Sequence, residues 1–436
     1  MSRIINTFKW IRKNPKKSIF FFSVGAYAVD YIREKYLINQ LMRKYCMEAK
    51  EYGNVKVPTS ATMKKVLVIL NPAANKRKAE ENFEKFCAPI LHLAGFQVEI
   101  QKTQSDQHAI RMIEDELNEY PDAIVIAGGD GTISEAVTGL LRKAENDPKV
   151  PPVGVLPVGK TNQFSLMLFN ADGIPTNKVD EVRSMATAAL SVVKGKTEQK
   201  DIMKIQLISD HENTESEPKK PFYAVGSLIW GSFNDILRKK DRYWVTGSLR
   251  NYTAFLFNGF GRKDVQWDCK AKMIYSDPCA GCSNCYEKVE SKTQRLHSTR
   301  WWSKFNATEK APDYSKILNP DCLTTHEEVI NSSEVVIATN TAEGIPDKDS
   351  KLNIKLNVKS DDYGFEYIWN SWKRVRDRRY LDIPQNKLLQ ARTLVLLPET
   401  VHDDSKEVYY SIDNEPYELM PIKITLLPKR LQFFTL

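Results

Sequence analysis

Residues 123–132 read AIVIAGGDGT, and this stretch indicates the fold class. Its first half, Ala123–Ala127, is a short apolar run of the kind that forms a buried parallel strand. Two glycines, an acid and a third glycine follow where the strand ends. Apolar residues at helical spacing begin beyond Thr132. The stretch therefore predicts a strand, a tight loop and a helix in succession.

The same order recurs on both sides of this stretch. Lys65–Leu70 (KVLVIL) ends at the polar loop NPAAN, Phe96–Ile100 is followed by a polar loop containing Thr103, and Val153–Leu156 ends at PVGKTN. Strands that alternate with helices in this way build a parallel, doubly wound sheet. We therefore predict an α/β domain over residues 62–200.

The loops after these strands predict a phosphate site. In doubly wound sheets, ligands bind at the carboxyl ends of the strands. Glycines allow the backbone to approach a ligand, and the N-terminus of the helix after Gly131 favours an anion. Thr132 and Glu135 also have the spacing of a helix capping box, which is the alternative explanation for those two residues. That alternative does not explain the glycines and the acid, so a nucleotide site is favoured.

The rest of the chain predicts a second, β-rich domain. A length of 436 residues suggests two or three domains. From Phe222 onward, alternating and β-branched residues predominate, which predicts a β-rich domain over residues 201–436 with an insertion at about 263–330. The predicted strands are 222–229, 333–339, 352–358, 392–397, 407–412 and 421–427.

Charge is concentrated at the N-terminus. The net charge is +8, but residues 1–17 hold six basic residues and no acid, so the remainder is nearly neutral and does not indicate a nucleic-acid partner. An apolar run, Ile19–Val29, follows and is too short to span a bilayer. Within residues 1–55, three interpretations compete: a cleaved secretory signal, an internal helix, and an uncleaved anchor at a membrane surface. The anchor is favoured, and the same features suit mitochondrial targeting.

A cysteine cluster lies in the predicted insertion. Cys279, Cys282 and Cys285 have the spacing C-x-x-C-x-x-C, with Cys269 upstream. This spacing suits thiolate ligation of a structural Zn²⁺ ion. The fourth ligand is open among Cys269, His297 and Cys322. An iron–sulfur site, a disulfide and free thiols are alternatives.

Several motifs together resemble a known family. The GGDGT segment, the upstream strand that ends in Asn-Pro and the downstream P-x-G-x-x-N loop resemble the catalytic domain of the diacylglycerol kinase superfamily, which includes diacylglycerol, sphingosine, ceramide and acylglycerol kinases. Residues 71–79, 88–95, 230–235 and 420–434 are most similar to the mitochondrial acylglycerol kinases. The resemblance implies an α/β nucleotide domain followed by a β-sandwich-like domain, with the active site in the cleft between them and with ATP and Mg²⁺. It also implies phosphoryl transfer to monoacylglycerol or diacylglycerol, which gives lysophosphatidic or phosphatidic acid.

The resemblance also implies roles for individual residues. Asp130 would be a catalytic acceptor or an Mg²⁺ contact and is ranked first. Asp413-Asn414-Glu415 matches an Asp-Gly-Glu turn of the family, which would place Asp413 near the nucleotide and make Glu415 the rival base; a plain hairpin turn is the alternative. Asp235 would meet the lipid head group. Nucleotide contacts are implied for Asn71, Thr103, Gly128, Gly129, Gly131, Thr132, Glu135, Gly159 and Asn162.

Other functions remain open at this point. NAD kinases share GGDGT, although the N-terminus and the Asn162 loop argue against that class. Ceramide and sphingosine kinases are further alternatives. Animal mitochondrial acylglycerol kinases are associated with the inner-membrane carrier translocase, so a membrane-anchored structural subunit is the non-enzymatic alternative. The resemblance implies the mitochondrial inner membrane, on the side of the intermembrane space.

Overall fold

The first domain contains the predicted parallel sheet. The computed structural model describes residues 13–54, 63–144, 150–169, 175, 177–208, 220–279, 281–283, 316–343, 350–358, 363–399 and 408–436. Four parallel strands lie in the order β2-β1-β3-β4. Their bounds are β1 (Lys65–Leu70), β2 (Gln97–Lys102), β3 (Ala123–Gly128) and β4 (Val153–Pro157). All four begin within two residues of the predicted positions.

Helices cover this sheet. Helix α6 buries a stripe that includes Ile133, Val137 and Leu140, which fixes the helix against the sheet. The apolar face predicted for the helix after β1 lies in one continuous helical run over residues 79–93, which includes a π-helical turn at Phe83–Cys87. Before this run, Asn75 and Lys76 have φ of 51° and 55° and interrupt the short helix that follows β1. The helices are α1 (Pro15–Gly53), α2 (Ala74–Arg77), α3 (Ala79–Asn82), α4 (Ala88–Leu93), α5 (His108–Arg111), α6 (Asp130–Ala144), α7 (Gln163–Leu168) and α8 (Lys178–Lys194), with a second π-helical turn at Met112–Glu116.

The second domain is mainly antiparallel. Its strands are β5 (Thr197–Leu207), β6 (Phe222–Ala224), β7 (Ser227–Gly231), β8 (Cys269–Ser276), β9 (Thr325–Thr339), β10 (Leu352–Val358), β11 (Lys387–Ala391), β12 (Thr393–Pro398), β13 (Tyr409–Ile412), β14 (Glu415–Glu418) and β15 (Ile422–Phe434). They pair in the order β14-β13-β7-β9-β8-β12-β15, with β10 joining β9 to β11 and β5 joining β15 to β6. Most of these strands contribute side chains to one shared core, so the sheet curves around it.

Helices in this domain correct the sequence prediction, which expects strands almost throughout. They are α9 (Ser232–Arg238), α10 (Arg250–Asn258), α11 (Asn340–Glu343) and α12 (Phe365–Arg376), with 3₁₀ segments at Lys239–Leu249 and Pro320–Leu323. Aromatic residues with high strand propensity are frequent in these segments. Phe233, Phe255 and Val375 nevertheless pack into a separate helical core, so tertiary packing overrides local propensity.

Two long strands join the domains. The N-terminal part of β15 packs in the second core, whereas Leu431, Phe433 and Phe434 pack in the first. Its partner β5 runs alongside it. Phe433 also pairs with Val153 of β4, so all fifteen described strands form one continuous sheet. The end of the chain therefore completes the first domain, a feature that a single boundary near residue 200 does not capture.

Helix α1 has two different halves. It is 39 residues long, or about 58 Å at 1.5 Å per residue. Ile38 and Ala49 are buried against the first domain, and the Tyr45 hydroxyl lies 2.7 Å from the Thr187 hydroxyl on α8. The half before residue 37 carries exposed apolar side chains. None of the described helices combines the length and the apolar character that a membrane crossing requires.

Candidate active site

The loops at the carboxyl ends of β3 and β4 are bonded to each other. The Gly159 N–H donates to the Gly128 carbonyl at 3.0 Å, and the Asp130 N–H donates to the Thr161 carbonyl at 3.1 Å. From the end of β1, Asn71 Nδ2 donates to Thr132 Oγ1 at 3.0 Å. Three of the predicted loops therefore meet at one edge of the sheet.

Three of the glycines allow these loops to pass in contact. A Cβ atom on Gly159 would lie 2.4 Å from Gly129 Cα, and one on Gly128 would lie 2.6 Å from Thr132 Cβ. A Cβ on Gly129 would lie 3.0 Å from the Thr161 carbonyl oxygen. The loops thus leave no room for side chains between them. This close packing places the N-terminus of α6 beside the P-V-G-K-T-N loop.

Asp130 connects the two domains. Its Oδ1 accepts from the Phe164 N–H at 3.1 Å, and its Oδ2 accepts from the Gln163 N–H at 3.0 Å and from Asn414 Nδ2 at 2.9 Å. The side chain is buried, which raises the pKa of Asp130 against the lowering effect of these three hydrogen bonds. Both oxygens of Asp130 are therefore engaged in hydrogen bonds, and its first-ranked role as the acceptor stays a prediction.

The Asp413-Asn414 turn positions the second domain at this site. Both residues have positive φ, 48° and 68°, in the two-residue turn between β13 and β14, a conformation that asparagine tolerates well. Asp413 accepts from the N–H groups of Val225, Gly226 and Ser227 at 2.8, 2.9 and 3.0 Å. Burial, together with the nearby charge of Asp130, raises the pKa of Asp413 to about 6.

Those contacts also explain a correction to the predicted strand 222–229. The backbone N–H groups of residues 225–227 bond to the Asp413 carboxylate. The segment consequently divides into β6 and β7, with the break at Val225-Gly226. A Cβ on Gly226 would lie 2.8 Å from Asp413 Oδ1, so the residue at the break must be small.

Glu415 lies against the N-terminus of α6. A Cβ atom on Gly131 would be 2.2 Å from Glu415 Oε1, which shows how closely the carboxylate approaches the helix. Burial raises the pKa of Glu415, and the charges of Glu135, Asp106 and Asp130 raise it further. The Glu415 side chain is exposed and has no hydrogen bond or ion pair within the described part of the chain. Each of the other predicted acidic site residues has at least one such partner.

Other predicted nucleotide residues hold the surrounding loops. Glu135 Oε1 accepts from the Gln107 N–H at 3.1 Å, so it fixes the loop before α5 instead of completing a capping box. Thr103 is buried, and its N–H donates to the Leu70 carbonyl at 2.9 Å. Asn162 Nδ2 donates to the Gly159 carbonyl at 2.9 Å, whereas its buried Oδ1 has no partner among the described residues.

Basic side chains at this edge were not predicted as site residues. Lys240, in the 3₁₀ segment of the second domain, has a pKa lowered by burial and then by the positive charge of Lys160. Lys76 and Arg77, after β1, have φ of 55° and 67°, which non-glycine residues rarely adopt. The basic run N-K-R-K after Asn-Pro could have marked Lys76 and Arg77 as site residues. Nothing in the sequence predicts their positive φ.

A cavity of about 780 Å³ opens on the other side of Asp130, Asp413 and Asn414. This volume is typical of small-molecule sites. Its lining combines apolar side chains with a rim of charged residues from the loop after α12. The apolar residues are Phe164, Leu166, Met167, Val225, Ile229 and Leu381, and the charged rim comprises Asp377, Arg378, Arg379 and Asp382.

Asp235 lies outside the lining of this cavity. Its Oδ2 accepts from the Gln266 N–H at 3.1 Å and forms an ion pair with Lys239 at 3.2 Å. These contacts join α9 to the loop before β8. The predicted role in binding the lipid head group stays a prediction, and the geometry gives Asp235 partners within its own domain.

The cysteine cluster has a different membership from the predicted one. The sulfur atoms of Cys279, Cys282 and Cys322 lie within 4.8 Å of one another. Cys269 is at the opposite end of β8, in the core of the second domain, so its predicted inclusion is corrected. Cys285 and His297 lie outside the described residues.

Comparisons with known proteins agree with this architecture. The model of the diacylglycerol kinase catalytic domain matches residues 65–205, and that of the acylglycerol kinase C-terminal domain matches residues 225–436. A solved structure from Bacillus anthracis str. Sterne, assigned as a diacylglycerol kinase, has a TM-score of 0.50 at 17% identity and covers 86% of this chain and 99% of its own. Fold and site therefore define a lipid kinase of the diacylglycerol kinase type.

Sequence similarity identifies the family. Human mitochondrial acylglycerol kinase is 33% identical over 432 residues, covering 98% of this chain and 96% of its own length. The Xenopus laevis protein of that name is 31% identical over 437 residues, covering 99% and 95%. Sphingosine kinase 1 of Arabidopsis thaliana matches only 225 residues, at 30% identity, covering 51% of this chain and 43% of its own. The chain belongs to the acylglycerol kinase family.

Proposed function

We propose that this chain transfers the γ-phosphate of ATP to the free hydroxyl of monoacylglycerol or diacylglycerol, giving lysophosphatidic or phosphatidic acid. The position of Glu415 carries the proposal. This carboxylate from the second domain contacts Gly131 at the N-terminus of α6, where an anion is favoured. A carboxylate that can act as a general base therefore lies beside an anion site between the domains. Phosphoryl transfer to a hydroxyl requires this arrangement.

The first turn of α6 would bind the phosphates. The first four N–H groups of a helix have no partner within it. Here the Asp130 N–H bonds to Thr161 and the Ile133 N–H bonds to Gly129. Within the described residues, the N–H groups of Gly131 and Thr132 have no partner outside the helix, so they are available to phosphate oxygens. Lys160 and Lys240 would offset the phosphate charge.

The acids at this edge fit an Mg²⁺ ion that accompanies ATP. Glu135, Asp106 and Asp130 each raise the pKa of Glu415, so negative potential is concentrated around its carboxylate. Hard oxygen ligands of this type suit Mg²⁺. When bound, the ion would neutralise charge that develops on the transferred phosphoryl group. Glu135 and Asp106 are the residues that we expect to hold it, directly or through water, whereas the Glu415 carboxylate is kept for the lipid hydroxyl.

Glu415 would accept the proton of the lipid hydroxyl. The pKa of Glu415 is raised toward neutral pH, and a general base works best when its pKa lies near the working pH. Asp130 is less suited to that task because three hydrogen bonds already engage its oxygens. Asp130 would instead hold α7 and Asn414 in register, so that Glu415 meets the phosphate site.

The cavity beside Asp130 would accommodate the acylglycerol. Its apolar residues, including Phe164 and Leu381, suit hydrocarbon, and Asp130 and Asn414 also line it. The full-length relatives described above are acylglycerol kinases by name. Ceramide and sphingosine kinase activities are less favoured, because the plant sphingosine kinase covers only about half of this chain.

We further propose that the substrate is met at a membrane surface, in the mitochondrion as the names of the relatives suggest. The exposed half of α1 includes Phe22 and Tyr27, which are 79% and 74% exposed. The helices of the second domain present another exposed aromatic group, comprising Trp244, Phe257, Phe365 and Trp369, with Arg242 and Lys373 in the same segments. Aromatic and basic side chains together favour an anionic membrane surface. We assign the inner membrane and its intermembrane-space face as the location to be tested.

A structural role in the inner-membrane carrier translocase is the second candidate. The exposed apolar half of α1 favours it, because such a surface suits contact with membrane-embedded protein as well as with lipid. The two roles are compatible, since the residues of α1 are distant along the chain from Gly131 and Glu415. Copurification with translocase subunits, tested with and without residues 1–37, would measure this role separately from kinase activity.

The function is tested by offering a panel of lipids with labelled ATP and Mg²⁺. Monoacylglycerol, diacylglycerol, ceramide and sphingosine in mixed micelles, together with NAD, would separate the candidate activities. We expect labelled lysophosphatidic and phosphatidic acids. Gly129→Glu is the inactive control, because a charged side chain would enter the space where the two loops meet. Labelling of NAD or sphingosine alone would contradict the proposal.

A further inference from the structure

The cysteine cluster outside the active site forms a compact group of sulfur atoms. Cys279, Cys282 and Cys322 are 5%, 0% and 5% exposed and pack mainly against one another. All three sulfur atoms lie within 4.8 Å of one another. Thiolates bound tetrahedrally to zinc at about 2.3 Å are separated by roughly 3.8 Å, so this spacing needs only a small contraction on binding.

The sheet register brings two of these cysteines together. Strands β8 and β9 are antiparallel, and their last pair joins Ser276 to Thr325. Cys279 follows that pair by three residues and Cys322 precedes it by three, so both lie at the same distance beyond the ladder. The pairing of β8 with β9 therefore places Cys279 opposite Cys322, whether or not their sulfur atoms are in contact.

The backbone around Cys282 is also fixed. Gly281 has φ of 138°, which only glycine adopts readily, and it turns the chain between Cys279 and Cys282. The Ser283 N–H donates to the Ile317 carbonyl at 2.9 Å, which ties this turn to the segment that leads to Cys322. Arg392, between β11 and β12, donates to the Cys279 carbonyl at 3.1 Å. Each cysteine is therefore held by contacts other than those between the thiols.

We propose that Cys279, Cys282 and Cys322 bind one Zn²⁺ ion as thiolates. Each thiol loses its proton to solvent as the Zn–S bond forms, and no electron is transferred. Buried thiolates require a compensating cation, which the ion supplies. The ion fastens together the two ends of the segment between β8 and β9. Closing a long loop in this way stabilises the folded chain by reducing the entropy of the unfolded one.

A disulfide is the main competing state. No disulfide joins the cysteines within the described residues. A disulfide would engage two sulfur atoms and leave the third beside an uncharged group, whereas one ion uses all three. The contacts around the cluster are accordingly better matched to a metal site.

Metal analysis of the full-length chain, purified without added metal or chelator, tests the proposal. We expect about one zinc ion per chain. Cys282→Ser and Cys322→Ser should abolish this content, whereas Cys46→Ser, at a half-buried cysteine of α1, should retain it. Protein from cobalt-supplemented cells should show thiolate-to-cobalt charge-transfer absorption that Cys322→Ser loses and Cys46→Ser keeps.

The wild-type protein gives a test that does not depend on variants folding. A mercurial reagent should release about one zinc ion into a chromophoric chelator as the thiols react. Zinc-free protein with reactive thiols, or a disulfide-linked pair of these cysteines in peptides mapped without reduction, would overturn the proposal. Iron with acid-labile sulfide in place of zinc would overturn it equally. None of these measurements depends on kinase activity.

Discussion

At the scale of single residues, the acids of the site have different environments. Asp130 and Asp413 are buried and each accepts three hydrogen bonds, whereas Glu415 reaches solvent at the N-terminus of α6. The sequence brings all three to attention through their motifs. It ranks Asp130 first without access to burial and hydrogen-bond partners, which depend on residues up to 284 positions away.

Gly131→Ala tests whether Glu415 must remain in contact with α6. The new Cβ would lie 2.2 Å from Glu415 Oε1, so the carboxylate has to move by more than 1 Å. A displacement of that size costs about 10²-fold in rate when the group acts on the reacting atoms. We expect kcat to fall by about that factor with an unchanged circular dichroism spectrum. Gly25→Ala, where nothing lies within 4 Å, is the matched control. Equal rates for the two variants would contradict the assignment.

Asp413 predicts a pH dependence of stability. Its pKa is about 6 in the folded protein and 3.8 is the ordinary value, so between these pH values the folded state holds a proton that the unfolded state has lost. Stability from this group is therefore present below pH 4 and is lost as the pH rises toward 6. We expect the free energy of unfolding of wild type minus that of Asp413→Asn to fall by on the order of 3 kcal/mol across that window. A difference that is independent of pH, measured by urea unfolding, would contradict this account.

At the scale of elements, the pair β5 and β15 depends on one buried carboxylate. The register of β15 shifts between Leu427 and Leu431, and Lys429 there has φ of 48°. Asp201 of β5 accepts from the Lys429 N–H and from the Ser350 hydroxyl, both at 2.8 Å. This bulge bends the strand where it passes from the second core to the first.

Asp201→Ala should destabilise the protein. It would leave the buried Ser350 hydroxyl without its acceptor, at about 1–3 kcal/mol, and would also remove the acceptor of the partly buried Lys429 N–H. Glu198→Ala, in the exposed part of the same strand, removes only a surface ion pair with Lys200 and should cost less than about 1 kcal/mol. Urea unfolding of both variants measures the difference. Similar losses would mean that the bulge does not depend on Asp201.

Helix α1 has an exposed apolar half and a packed half, and the boundary between them matters for truncation. Within the described part of this helix, the residues before 38 are mostly exposed, whereas Ile38 and Ala49 are buried in the first core. Deletion of residues 1–37 should abolish flotation with anionic vesicles and leave the melting temperature nearly unchanged. Deletion of residues 1–50 should lower the melting temperature as well, because it removes core side chains. Continued flotation of the shorter deletion would assign membrane binding to the exposed aromatic residues of the second domain.

The central strands could be predicted from sequence because they are buried on both faces and read as continuous apolar runs. Leu352–Val358 was also predicted at its observed bounds. The helices at 232–258 and 365–376 were not, since aromatic residues that favour strands form their packed faces. The cavity and Lys240 were missed for another reason: they form only when segments distant in the chain meet.

At the scale of the whole molecule, the site depends on two separate connections between the domains. Strand β15 returns the chain to the first domain, and Asn414 bonds to Asp130 across the junction. A hairpin of the second domain thereby delivers Glu415 to the phosphate edge of the first. Loss of the Glu415 carboxylate should therefore affect chemistry and not nucleotide binding.

The kinetics of Glu415→Gln with monoacylglycerol and Mg·ATP test this expectation most directly. The change keeps the size of the side chain and removes its charge. Glu418→Gln, on the exposed end of the same strand, is the matched control. We expect kcat to fall by about 10² to 10⁴-fold for Glu415→Gln. The Kd for Mg·ATP should stay within about threefold of wild type, and the control should be unaffected. Turnover near that of wild type for Glu415→Gln, with a large loss of kcat for Asp130→Asn, would contradict the assignment of Glu415 and make Asp130 the base.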